Sequence, residues 1–280
     1  MKALAGEFSL KDLCEALGVS RSGYYAWLRH DRTPRARANQ ELVAEIKKLF
    51  VANYGSYGSP RMTQELRQQQ KHCNRKRVER LMRQEGLNAR PKKRFKMQTT
   101  DSNHNHPVAP NLLPQKSVTC PNAAWVVDVT YIRTGEGWLY LAGVLDLYSR
   151  RLVGWAMEDH METSLVLGAL GMARQRRQPG RGLLHHSDRG VQYASQPYRQ
   201  ALQNFGMEAS MSRKGNCYDN ATMESFWGTL KTELVYRTDY STREDAKRSI
   251  FTWIETYYNR KRLHSSLGYK SPVDFENQLN

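Results

Sequence analysis

The chain has 280 residues, enough for one large or two to three small domains with real cores, and its formal charge is +16. No segment approaches about 18 consecutive apolar residues and the N-terminus lacks an apolar signal core, which argues against a membrane partner and for a soluble protein of the bacterial cytoplasm, associated with the nucleoid. Residues 1–100 hold 22 Lys and Arg against 9 Asp and Glu, a net +13, so the positive field is an N-terminal property and points to a polyanion, nucleic acid before an acidic membrane surface.

Residues 9–28, SLKDLCEALGVSRSGYYAWL, read as a helix-turn-helix, within a first unit spanning 1–35. Ser9 with Asp12 makes a capping start, Leu10, Leu13 and Leu17 share a face, Gly18 permits the turn, Val19 anchors it, and a second helix runs to about Leu28. Arg21, Ser22 and Tyr24 are expected on its exposed side, facing DNA; a plain helical hairpin is the blander alternative.

A second helical unit is expected over 36–90. One helix runs through ELVAEIKKLF to the turn NYGSYGS, Ser59 and Pro60 start the next as cap and first residue, and NRKRVERLMRQEGL supplies a third. In the third, Val78, Leu81 and Met82 face inward, surrounded by Arg75, Lys76, Arg77, Arg80 and Arg83; the excess of base over acid favours a DNA-tracking surface over a merely solvated face.

Residues 91–119 read as a basic, proline-bearing linker. His104 and His106 lie in it and Cys120 follows, but the spacing is too loose to assign a metal there. The four cysteines, Cys14, Cys73, Cys120 and Cys217, never form C-x-x-C, which argues against a disulfide framework or zinc ribbon.

From residue 120 the periodicity changes. Strands are expected at 124–132, 138–149, 151–158, 183–188 and 207–212, with helices at 163–176 and 196–205 and a further amphipathic helix after residue 220. A three-stranded meander followed by helix, strand, helix, strand and helix describes a ribonuclease-H-like α/β core occupying 120–280, with a C-terminal helical extension. The fold class is thus α/β, preceded by an all-α DNA-binding region.

Three acids fall where that architecture converges. Asp128 follows Val126 and Val127 on the first strand, Asp188 ends the fourth, and Glu224 lies early in the last helix, capped by Asp219 or Asn220. The spacing alone proves little, since 27 acidic residues in 280 produce many such separations by chance, and each acid taken singly reads as a strand-end or solvated residue. Together they suit two Mg²⁺ or Mn²⁺ ions, because hard cations take carboxylate oxygens and such a pair activates one oxygen of a phosphodiester reaction and stabilises another. Met223, Phe226, Leu230 and Leu234 form the helix's apolar face, and Glu224, Gly228 and Lys231 share an adjoining stripe. A polynucleotidyl transferase follows, with no Ser or Tyr nucleophile in evidence.

At these residues the chain resembles an insertion-sequence transposase of the family founded on insertion sequence three, the product of its second reading frame, whose catalytic domain is similar to retroviral integrase cores. The matching motifs are WVVDVTYI from Trp125, HSDRGVQY from His186, SRKGNCYDNATMESF from Ser212 and YNRKRLHSSLGYKSP from Tyr258, spanning the chain from about residue 120 to its end. The N-terminal half is also similar to the family's helix-turn-helix region, including the tyrosine–glycine turn and Arg61, with Pro60 where the family often has arginine.

The resemblance implies that Asp128, Asp188 and Glu224 are catalytic metal ligands and that Lys231 is the basic residue expected after the glutamate. It implies a DDE-type enzyme that cleaves and joins double-stranded DNA at element ends and target. It also implies self-association on DNA and an upstream-frame product, made as a frameshift fusion, that adds end recognition. Arg213 and Lys214, in a loop beside the site, are available to phosphates, and Asn259, Arg262 and His264 take structural or DNA-positioning roles. Two other functions stay open on the residues: a DNA-binding regulator with an inactive core, and a structure-specific nuclease that does not join strands.

Overall fold

The computed structural model describes residues 1, 4–29, 33–89, 106–213 and 220–279, which fall into two units, 1–89 and 90–280. His104, Lys214, Cys217 and Asp219 lie outside the described residues. Among the described residues, no helix is long and apolar enough to cross a membrane.

The first unit is all helical. In α1 (Leu10–Ala16) the Ser9 hydroxyl accepts the Asp12 N–H at 3.2 Å and donates to the Asp12 carboxylate at 2.6 Å, the expected capping start. Gly18 at φ +61° makes the turn into α2 (Arg21–Leu28). The expected inner face is corrected: Leu13, Cys14 and Tyr24 are buried, whereas Leu17 and Val19 are 56% and 44% exposed. Tyr24 therefore does not present itself to DNA. Two helices with so few apolar residues draw the ring into their small core, where it stacks on Trp27, leaving Arg21 and Ser22 exposed.

Helix α3 (Pro34–Ala52) starts earlier than the ELVAEIKKLF pattern implied, because Thr33 accepts the Ala36 N–H and Pro34 fills the first turn. After it, α4 (Ser59–Gln68) follows a Gly58 cap, one residue before the expected Ser59, and α5 (Arg75–Gln84) is capped by Asn74. Val78, Leu81 and Met82 face inward as expected and join Ile46, Tyr57, Met62 and Leu66 in the core.

In the second unit β1 (Ala124–Thr134), β2 (Gly137–Asp146) and β3 (Leu152–Glu158) form an antiparallel meander. β4 (Leu184–Ser187) and β5 (Glu208–Met211) add parallel strands on the β1 side, giving the order β3-β2-β1-β4-β5 of a ribonuclease-H-like sheet. The mixed order follows from the connections: tight turns join the meander, and α6 (Thr163–Arg177), then α7 (Val191–Ala194) and α8 (Gln196–Asn204), carry the crossovers. Gly154 lets α6 lie close on β3, since a Cβ there would fall 2.3 Å from the Ala169 carbonyl oxygen. Part of the expected linker belongs to this unit. The Met211 N–H donates to Pro110 O and the Leu112 N–H to Ser210 Oγ, so this stretch covers the edge strand β5.

The remaining elements carry the expected amphipathic helix, α9 (Ala221–Glu233), and its support: α10 (Arg243–Thr252), a π-helical turn at Trp253–Tyr258, and α11 (Pro272–Glu276). The YNRKRLHSS motif does structural work here. Asn259 pairs with the backbone of Leu152 in both directions, its Oδ1 accepting the N–H and its Nδ2 donating to the carbonyl, each at 3.0 Å. Arg262 is buried and makes a two-pronged ion pair with Glu233 at the end of α9, both bonds 2.8 Å, which corrects the expectation that it contacts DNA. His264 is half-buried, its ring edge-on to Tyr258.

This pair makes a stability prediction. Arg262→Met leaves the Glu233 carboxylate buried without its partner and should cost about 3–5 kcal/mol in a denaturant melt, whereas Arg262→Met with Glu233→Met should recover most of the loss.

Candidate active site

The site is built where β1 and β4 run parallel. Val126 pairs with His186, so two residues further along each strand direction Asp128 comes level with Asp188, just past the end of β4. Strand β1 continues beyond Asp128 to Thr134, so the acid lies mid-strand, opposite Gly143 of β2. Each carboxylate is partly restrained: Asp128 Oδ1 accepts the Val129 N–H at 2.8 Å, and Asp188 Oδ1 accepts the Gly190 N–H at 2.9 Å.

Helix α9 closes the site from above. Met223, Phe226, Leu230 and Leu234 are buried as expected, and Glu224 is exposed on the adjoining stripe. Asn220 is the residue before the helix, but its side chain caps nothing. A Cβ on Gly228 would meet no atom within 4 Å, so that position opens onto free space rather than a packed neighbour. The Lys231 ammonium lies 4.8 Å from the centre of the Tyr131 ring. Burial lowers the pKa of Lys231 and the nearby Asp128 charge opposes that shift.

Burial, and then the neighbouring charges of Asp188 and Glu224, push the Asp128 carboxyl up to about 7, against the bonds from Val129 and Trp227 that favour its ionised form. The three carboxylates influence one another without closing on a single point. Among the described residues, the group whose possible ligand atoms all lie within 4.8 Å of one another is Glu158, Asp159 and His160, on the surface at the end of β3.

Sequence reasoning missed Trp227, whose indole N–H donates to Asp128 Oδ2 at 3.1 Å. It also missed Arg150, at φ +62° in the β2–β3 turn, whose guanidinium donates to Thr222 in the first turn of α9. Neither carries a local signal: each meets its partner across more than 70 residues of chain. Of the expected DNA-facing residues, Arg21, Ser22, Arg75, Lys76 and Arg213 are exposed, Arg77 is tied to Asn39 at 2.9 Å, and Arg61 lies over the Tyr57 ring at 5.8 Å.

This core matches two family models, both described as integrase core domain, over residues 118–217 and 205–272, and residues 37–95 match a model of an HTH-like domain. Fold and site thus define a DDE-type polynucleotidyl transferase, an integrase-core enzyme with a helical HTH-like region before it. The chain is 46% identical to an uncharacterized 31 kDa protein of insertion element IS600 from Shigella sonnei, covering 94% of this chain and 97% of that one. It is 42% identical to transposase InsF for insertion sequence IS3A from Escherichia coli K12, covering 97% and 95%. The chain belongs to the IS3 family of insertion-sequence transposases. Solved structures similar to it include a simian T-cell lymphotropic virus intasome, 15% identical over 82% of this chain and 74% of that one with a TM-score of 0.49. Another is the HTLV-2 integrase catalytic core domain in complex with magnesium, 15% identical over 57% and 99% with a TM-score of 0.44.

The raised pKa of Asp128 gives a stability signature. A carboxyl whose folded pKa is about 7 contributes stability that is present below its unfolded value near 4 and is lost as pH rises to about 7. Asp128→Asn should therefore raise the melting temperature of the metal-free protein by about 2–4 °C or more at pH 8 and by much less at pH 4.5, measured by differential scanning calorimetry.

Proposed function

We propose that the chain cleaves and joins DNA at the ends of a mobile element through Asp128, Asp188 and Glu224, which hold two Mg²⁺ or Mn²⁺ ions. The observation that carries this reading is the parallel register of β1 and β4, which levels two acids in a half-buried place and drives up the proton affinity of one. The donor set fits a divalent cation: carboxylate oxygens, in a site where like charges need neutralising. When bound, such ions supply Lewis acidity, activating an attacking oxygen and stabilising a leaving one.

The chain's own residues arrange the rest. Asp128 and Asp188 are fixed by the sheet, while Glu224 is carried on α9 and closes on them when the site is loaded. Lys231 receives a DNA phosphate on the same stripe, and the open space at Gly228 lets the backbone approach. Water cleaves the phosphodiester at an element end and leaves a 3′-hydroxyl; that hydroxyl then attacks a second phosphodiester, displacing its 3′-oxygen as leaving group. The exposed bases Arg75, Lys76 and Arg83 of α5, with Arg21 and Ser22 of α2, contact DNA, and Arg213 and Lys214 serve the loop beside the site. Two ends must be held together for joining, so the chain self-associates on DNA, with the upstream-frame fusion adding end recognition.

Asp128→Asn, Asp188→Asn and Glu224→Gln should each abolish Mg²⁺-dependent cleavage and joining of a labelled end-bearing duplex while DNA binding persists; substantial activity in any one removes that residue from the site. For the N-terminal unit, Arg75→Gln, Lys76→Gln and Arg83→Gln combined should flatten the log–log salt dependence of duplex binding by about 0.9 for each phosphate contact removed. An unchanged slope would place the DNA surface elsewhere.

A further inference from the structure

Trp227 is buried on α9, three residues after Glu224, and its side chain is held along its whole length. Its ring packs on Phe226 at 4.8 Å between centroids, and Phe226 meets Tyr258 edge-on at 4.7 Å. Its far edge lies over Gly143, where a Cβ would come 2.9 Å from Trp227 Cη2 and 2.7 Å from Met223 Cε. Gly143 is the residue of β2 paired with Asp128. The missing side chain at 143 thus lets the indole lie across the strand pair, and the N–H at its other end reaches Asp128 Oδ2 at 3.1 Å.

We propose that Trp227 is a positioning residue of the reaction: its indole N–H fixes the orientation of the Asp128 carboxylate and ties it to the helix that bears Glu224, with Gly143 as the space that makes this possible. The proposal rests on the reading of Asp128 as a metal ligand. The physical need is plain. Asp128 lies half-buried beside the like charge of Asp188, and a carboxylate held only by the Val129 N–H is free to rotate its second oxygen away from that charge. A donor on a rigid, fully packed ring removes that freedom. It also links two elements that join in the site only through tertiary structure, so the strand-borne and helix-borne ligands keep one spacing.

The test is calorimetric titration of Mn²⁺ into the full chain, with cleavage of an end-bearing duplex followed as a function of Mn²⁺ concentration. Trp227→Phe keeps most of the ring and removes the donor. It should weaken Mn²⁺ binding about 10–100-fold, with cleavage recovering as Mn²⁺ is raised, while duplex affinity and the metal-free melting temperature change little. Gly143→Ala, which displaces the indole, should give the same signature. If the Phe variant does not fold, benzothienylalanine at 227, the same shape without an N–H, decides the matter. Wild-type Mn²⁺ affinity and metal dependence in the donor-free variant would overturn the proposal and leave Trp227 as packing, with the active-site reading untouched. If instead Asp128→Asn binds Mn²⁺ like the wild type, the reading of Asp128 fails, and this proposal fails with it.

Discussion

Two carboxylates are held level on neighbouring parallel strands, in a place too buried to let both ionise freely, and the catalytic unit is organised around that conflict. Burial and repulsion push Asp128 up to about 7, and the local answer is a small set of fixed donors: the Val129 and Gly190 amides and the Trp227 indole. Donors of this kind favour the ionised forms without neutralising them. A strongly bound divalent cation is the natural complement to such a site, and the IS3-family membership of the chain agrees with that chemistry.

The second requirement is a stable seat for α9, because the helix must bring Glu224 and Lys231 to a sheet from which it is distant in sequence. Much of the C-terminal extension meets that need. Phe226 packs in an aromatic group with Trp253 and Tyr258, Glu233 is bound by the buried Arg262, and Asn259 pairs with the first residue of β3. Motif residues of an active-site family need not touch substrate, and here Asn259 and Arg262 hold the platform. The π-helical turn at Trp253–Tyr258 lies within this group, directing three large rings inward from six residues.

The helical unit is built on a different economy. Its cores are small, and α5 buries Val78, Leu81 and Met82 while presenting Arg75, Lys76 and Arg83 to solvent. An arrangement of this kind concentrates positive charge on short helices with little acid to offset it, which suits binding to a polyanion more than it adds stability.

Periodicity, caps and turn residues are local, and so the sequence by itself determined the order and type of nearly every element, the apolar face of α9 and the Ser9 and Asn74 caps. It also marked Asp128, Asp188 and Glu224 as candidates, through long motifs rather than through spacing. It did not separate Asp128 from Asp146, both acids after apolar strand residues. Tertiary structure did: Asp146 is saturated by the Asn122, Tyr148 and Ser149 N–H groups and organises a turn, whereas Asp128 keeps capacity to spare and faces another acid. Tertiary structure also turned Tyr24 inward, paired Arg262 with Glu233, and brought Trp227 and Gly143 to Asp128. A side chain's partner across 29 or 99 residues is fixed by how sheets and helices pack, and no pattern along the chain encodes that meeting.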